Sequence, residues 1–444
     1  MIAFHTLREN HDLTEDEYKR ARDRIAQVQR TLDQSEDAEA AKTKEQVFHP
    51  ANVWESLAAR PGSQIPTDYH GINTLRMRAP FAGFHLPILD RLDRWRHYSG
   101  PDDATLRHIM AATDSNEVWE RICAAIDPLS RMLPFAGIQQ LVTLNIPPDY
   151  IVRTPKMFGE IGMLVDDVLC NADTILCQSR VNALYASGAL AKIDRIIGRN
   201  GVCRILEIGS GHGALARAVM ALFPGRIEYI CCDLPSSLHF AAVYAGHFAA
   251  DSKVVSRDDS SIAHLRGRES CIFAPNYLID AVVSDRQPID IAINTMSMPE
   301  MSAEQVEFYC RLMVAALGKD GFFYEANSVL LAEHVDCKAI FSRHFKHRHT
   351  ITHESIALGG ETHEIWSMAP FAAEPPAETA PHRAPLADTA ECMVFDALGR
   401  ALSTCLEQMD GNLRRNILVE AGSHMMRAGL PSSVIVARLR ALNW

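Results

Sequence analysis

The apolar positions of this chain change their period part-way along it. Up to about residue 150 they recur at helical spacing, and Tyr18, Ala21, Ile25, Val28 and Leu32 form the stripe of a helix that needs an apolar partner. Thr14 and Glu17 precede that run with capping-box spacing, in which a hydroxyl and a carboxylate satisfy each other's backbone at a helix start. The stripe ends in the polar stretch 35–44. From 51 to 149 short helical patterns alternate with Pro, Gly and Asp breaks. Residues 1–150 are therefore expected to form a helical accessory domain, a lid or a dimerisation unit, whose first helix is either a docking element or a dimer seam.

Beyond residue 151, helix and strand patterns alternate. Asp173 or Asn171 can cap a helix that runs to about Ser187, where Gly188 breaks it. Gln178, Asn182 and Tyr185 share one face of that helix, which either reaches a ligand or meets solvent. Short apolar runs at Arg204–Ile208, Glu228–Cys232, Cys271–Ala274, Ile289–Asn294 and Gly321–Ala326 read as buried strands. Between the last two, Val306, Tyr309, Met313 and Leu317 mark an amphipathic helix that begins after Ser302. Segments 349–355 and 363–368, joined by a turn at Gly359 and Gly360, read as an antiparallel pair at the sheet edge.

This pattern predicts an α/β fold with a Rossmann-like, mostly parallel sheet, an antiparallel edge hairpin, a helical N-terminal domain and a helical C-terminal extension. The units expected are 1–150, 151–371, a linker at 372–388 that holds four prolines, and a helical stretch at 389–444 that caps the core or mediates oligomerisation.

Composition narrows the class of protein. The formal charge of -11, from 44 basic and 55 acidic residues, lacks the electrostatic footprint of a nucleic-acid binder. Small-molecule substrates fit better. No apolar run approaches the roughly 18 residues of a membrane span, and the N-terminus lacks the apolar core of a signal peptide, so a cytoplasmic location is expected. The 11 cysteines include no C-x-x-C pair, which suits reduced, buried thiols.

The chemistry is expected around RILEIGSGHGALARAV, residues 204–219. A strand, the turn Gly209, Gly211 and Gly213, and a helix make a loop whose backbone can approach a ligand closely, with the free N–H groups of the new helix facing the same spot. Two ligands fit. Gly209, Gly211 and Ala214 satisfy a dinucleotide fingerprint, with Asp233 at the distance of a ribose-binding acid. S-adenosylmethionine (SAM) is the other, and Glu207 favours it: a carboxylate two residues before the first glycine suits the cationic amino-acid end of SAM and repels a pyrophosphate.

Five blocks then carry a resemblance: the stretch from Pro155 to Gly188, ILEIGSGHGALA, CCDLPSSL, INTMSMPEMSAEQVEFYCRLM and GFFYEAN, in that order. Across about Pro155–Met368 the chain resembles class I SAM-dependent methyltransferases, and more narrowly the sugar O-methyltransferase family of bacterial biosynthetic clusters. The resemblance implies that Glu207, Gly209, Gly211 and Gly213 line the methionine part of SAM. It also implies that Asp233 accepts from the ribose hydroxyls and that Leu234 packs beside the adenine. Asn276 is a further adenine candidate, Gln178 a cofactor contact from the preceding helix, and Asn294 opens the loop that holds cofactor and acceptor. His212 is read as either a substrate contact or a surface imidazole.

Methyl transfer to a hydroxyl calls for a general base. Glu300 and Glu325 are expected at the pocket mouth on adjacent strands, with Glu160 closing it from the other side. His344, His347, His349 and His353 offer no third ligand at a diagnostic metal spacing, so no metal site is assigned. The expected activity is O-methylation of a sugar hydroxyl on a small polar metabolite. N-methylation of an amine or of a guanidine such as free arginine stays open because three carboxylates surround the expected pocket. A non-catalytic SAM-binding protein is the reading from another class.

Overall fold

The computed structural model describes residues 2–5, 10–40, 66–77, 143, 146–160, 162–165, 167–257, 270–284, 288–328, 335–351 and 361–371. The linker expected at 372–388, the helical extension at 389–444, His353 and the Gly359–Gly360 turn lie outside these residues.

The chain opens with strand β1 (Ile2–His5), helix α1 (Glu15–Ala40) and the short helix α2 (Tyr69–Asn73). Strands β2 (Gly162–Val165) and β3 (Val168–Cys170) follow, then helices α3 (Ala172–Ala186) and α4 (Ala189–Asn200). The central region runs β4 (Cys203–Ile208), α5 (Ala214–Leu222), β5 (Ile227–Asp233), α6 (Pro235–Phe248), β6 (Ser252–Val254), β7 (Cys271–Pro275) and α7 (Ile279–Val283). It closes with β8 (Ile289–Thr295), α8 (Ala303–Ala316), β9 (Leu317–Ser328), α9 (Cys337–His344), β10 (His347–Ile351) and β11 (Glu361–Ser367).

Local sequence explains the helix boundaries. Asn171 caps α3 through a box with Thr174, and Ser302 caps α8 through a box with Gln305, so each start satisfies orphan N–H groups with its own side chains. Thr14 and Glu17 exchange the bonds expected of them, with Thr14 N donating to Glu17 Oε2 at 2.8 Å.

Eight strands form one sheet in the order β10-β11-β9-β8-β4-β5-β7-β6. The centre is parallel, and β11 runs antiparallel between β9 and β10. This is the Rossmann-like, mostly parallel sheet with an antiparallel edge hairpin expected from the sequence, extended at the other edge by the three-residue β6. Side chains alternate across it. Ile205, Tyr229, Ile293 and Tyr324 face α3, α4, α5 and α6, while Leu206, Ile230, Ala292 and Phe323 face α7, α8 and α9. The sequence of β4 therefore sends Glu207 to the first layer. The strand order reverses between β4 and β8, and in such sheets ligands bind beyond the strand ends at that switch point.

The described part of 1–150 differs from a separate helical unit. β1 pairs antiparallel with β2, Ile2 opposite Val165, in a three-stranded sheet. Leu13, Ala21 and Ile25 pack with Phe158, Phe240, Val243 and Tyr244, so α1 lies along α6. Of the two roles expected for its stripe, docking is the one seen. Hydrogen bonds from His11 N to Lys156 O and from Arg76 N to Phe158 O run across the expected boundary near 150. Among the described residues no helix is long and apolar enough to cross a membrane.

Candidate cofactor and acceptor site

The loop after β4 holds three left-handed glycines, Gly209 (φ 73°), Gly211 (φ 56°) and Gly213 (φ 80°), a conformation that costs any other residue. Two of them also answer to the chain's own packing. A Cβ on Gly209 would stand 2.0 Å from Ser297 Oγ, and one on Gly213 would stand 2.8 Å from Ala245 Cβ of α6. Gly211 N donates to Asp233 Oδ2 at 2.6 Å, which binds the loop to the tip of β5. Leu234, half-buried at the cap of α6, donates its N–H to Asp233 Oδ1 at 2.7 Å. Burial raises the Asp233 pKa to about 6 in spite of those two bonds.

Glu207 is 2% exposed, and its Oε2 accepts from the Tyr229 hydroxyl at 2.9 Å. Burial pushes its pKa up to about 8, while the Tyr229 bond and the charge of Arg180 pull the other way. At neutral pH it is therefore mainly a carboxylic acid, and an incoming cation is what would ionise it.

The end of β8 and the turn after it pack against the glycine loop. Asn294 is spent on bracing: Nδ2 donates to Ile208 O at 2.8 Å and to Ser297 Oγ at 2.5 Å, and Oδ1 accepts from Met298 N at 3.3 Å. It therefore positions the loop instead of touching a cofactor as expected. Met296, in that loop, has φ 59° and is 38% exposed, an unusual conformation for a long side chain and one that tends to mark functional loops. Glu300 closes the turn Met298–Glu300 and is half-buried.

Four further expectations are corrected. Gln178 does not face the cofactor, because its amide is used inside the protein: Oε1 accepts from Val152 N at 2.7 Å, and Nε2 donates to Tyr150 O and to Asn182 Oδ1. Glu160 does not close the pocket mouth. It is fully buried between Arg76 and Asn171, with Arg76 Nε 3.1 Å from its Oε2. Glu325 does not flank the mouth either, since its place in the strand alternation turns it under α9. It is fully buried, accepts from Asn327 Nδ2 at 2.8 Å, and has its pKa raised to about 8 by burial and by neighbouring Glu364. His212 is neither a surface imidazole nor exposed to substrate: it is buried, 3.2 Å from Asp173 Oδ2.

Asn276 is buried just past the end of β7 and bonds to Tyr309 of α8. His344 bonds to Glu307 at 2.7 Å, and His347 and His349 lie on the edge strand β10. Two features escaped the sequence. Arg180 lies within electrostatic reach of both Glu207 and His363. The Tyr324 hydroxyl lies 2.8 Å from His363 Nδ1 in a buried pair, where burial and Arg180 push the His363 pKa down to about 3. The available signal was alternation: Tyr324 and His363 fall on inward positions of β9 and β11.

No protein-family model matches the chain, and no curated protein matches it. Solved structures do. The mitomycin 7-O-methyltransferase MmcR is 12% identical over 44% of this chain and 57% of its own, with a TM-score of 0.28. An O-methyltransferase family protein from Burkholderia thailandensis is 11% identical over 43% of this chain and 60% of its own, with a TM-score of 0.28. Human N-acetylserotonin methyltransferase in complex with SAM is 12% identical over 45% of this chain and 56% of its own, with a TM-score of 0.26. The match thus spans less than two thirds of each of these proteins.

Proposed function

We propose that this chain is a SAM-dependent methyltransferase of a small polar metabolite, with a sugar hydroxyl as acceptor. One observation supports the reading: at the switch point of the sheet, Glu207 near the end of β4, the left-handed Gly211 just past it and Asp233 at the tip of the neighbouring β5 lie on adjacent parallel strand ends, with Gly211 bonded directly to Asp233. These residues fit SAM. A buried acid that ionises when a cation arrives suits the amino end, and a half-buried carboxylate at the neighbouring strand tip suits ribose hydroxyls.

When bound, SAM supplies a methyl group already activated on a sulfonium. Glu207 would hold the amino end, Asp233 the ribose, and Leu234 the edge of the adenine. Asn294 and Ser297 fix the loop in which Met296 and Glu300 would meet the acceptor. Holding acceptor and methyl in line can supply roughly 7–11 kcal/mol. A hydroxyl also needs a base, worth about 10²–10⁴ in rate, and Glu300 is the one of the three expected carboxylates that keeps solvent access. The amine or guanidine acceptor drew its support from three carboxylates around the crevice. With Glu160 and Glu325 buried, the neutral hydroxyl is favoured. Residues 151–371 would form the catalytic unit, with the described segments of 1–150 packed onto it.

The test is to incubate the full chain with SAM and a panel of sugars, nucleotide sugars and amino acids, and to weigh the products. A sugar heavier by one methylene is the expected result. Methylation only of amino acids would favour the N-methyl reading, and SAM binding with no product on any panel member would favour a non-catalytic binder.

A further inference from the structure

Arg76 lies in the turn Leu75–Met77 that follows α2, and it is 1% exposed. Its Nε donates to Glu160 Oε2 at 3.1 Å and its Nη2 to Asp173 Oδ2 at 2.8 Å. Asn171 Nδ2 holds the other oxygen of Glu160 at 2.7 Å. The same Asp173 oxygen lies 3.2 Å from His212 Nε2. Arg76 and His212 also share an aromatic wall: the guanidinium stands 5.8 Å from the Tyr244 ring centroid, and the imidazole tilts against that ring at 5.5 Å.

His212 is the residue between Gly211 and Gly213, both left-handed. A turn of that kind has little regular backbone ladder to hold it, so a side-chain anchor at its middle does much to fix its shape. Two buried carboxylates and a guanidinium are costly to desolvate, and apolar residues of similar volume would hold the segments together as well. What a directional cluster adds is a single register between the parts that it joins.

We infer that Arg76 is a positioning residue for the glycine loop: through Asp173 it holds His212, and with it the turn Gly211–Gly213, in the shape that receives the cofactor. The inference rests on the cofactor reading given above. It assigns the N-terminal segment a role on the cofactor side of the crevice, beyond that of a lid over the acceptor.

The test uses the full chain and three variants: Arg76→Lys, which keeps the charge but loses the two-pronged bridge, His212→Phe, which fills the space but loses the Asp173 contact, and the double variant. Binding of S-adenosylhomocysteine is measured by calorimetry, and amide exchange of residues 210–213 is measured without ligand. Arg76→Lys should weaken binding about tenfold and speed exchange in the loop, and in the His212→Phe background the same change should have little further effect. Additive losses in the two backgrounds, or unchanged loop exchange in a folded Arg76→Lys protein, would overturn the inference. A folded wild type that fails to bind S-adenosylhomocysteine would instead overturn the cofactor reading, while the exchange measurement still judges the anchor.

Discussion

Replacing Glu207 with Gln removes a buried acid two residues before the glycine loop without changing its volume. Burial holds the wild-type group at a pKa of about 8. To meet the cationic end of SAM at about pH 6 it must first ionise, which costs about 2.7 kcal/mol at roughly 1.4 kcal/mol per unit, whereas near pH 8 the cost nearly vanishes. Wild-type affinity for S-adenosylhomocysteine should therefore rise close to tenfold per pH unit between about pH 6 and 7.5, with release of nearly one proton. The Gln variant should lack that slope. It should bind within a few-fold of wild type near pH 6 and be weaker by well over tenfold near pH 8. Titration of the ligand's own α-amino group is common to both proteins, so the difference between the two curves isolates Glu207. Calorimetry in two buffers of different ionisation heat counts the protons directly. Parallel pH curves for the two proteins would refute the reasoning.

Glu300→Gln should lower kcat/KM at least about tenfold, roughly 1.4 kcal/mol, with ligand affinity little changed; wild-type kinetics with the true acceptor would remove Glu300 from the site. Glu325 has its native pKa raised from 4.5 to about 8, so its contribution is fully present below about pH 4.5 and is lost as pH rises toward 8, at up to about 1.4 kcal/mol per unit. Urea unfolding of Glu325→Gln should accordingly show a shallower loss of stability than wild type over that window; equal slopes would show that Glu325 ionises freely in the folded state. Met296→Gly relieves a left-handed backbone and should leave the fold within about 1 kcal/mol of wild type or stabilise it, yet lower turnover by removing the side chain held out beside the crevice. Unchanged turnover would make that conformation incidental.

What the sequence disclosed follows from how local each signal is. The five central strands, the caps at Asn171 and Ser302, and the glycine loop are written in adjacent residues, and they fold as their patterns predict. The three-stranded sheet was not legible, because β1 and β3 have four and three residues, too few to show a period. Which partner a polar residue chooses was not legible either. The stripe Gln178–Asn182 fits a cofactor, solvent or a neighbouring loop equally well, and only the path of 150–152 decides it. Glu325 looked accessible because it follows an apolar run near a strand end. The strand alternation and the position of α9 put it in the interior. Arg76 and His212 carry no mutual signal at all, since the bridge between them passes through Asp173 on a third segment.

Titration of the full chain with SAM, S-adenosylhomocysteine and NAD is the most direct test, because the acceptor, the base and the anchoring of the loop all presuppose the cofactor. Binding of SAM and S-adenosylhomocysteine without binding of NAD is the expected result. Tight binding of NAD, with no heat from either adenosyl ligand, would contradict it.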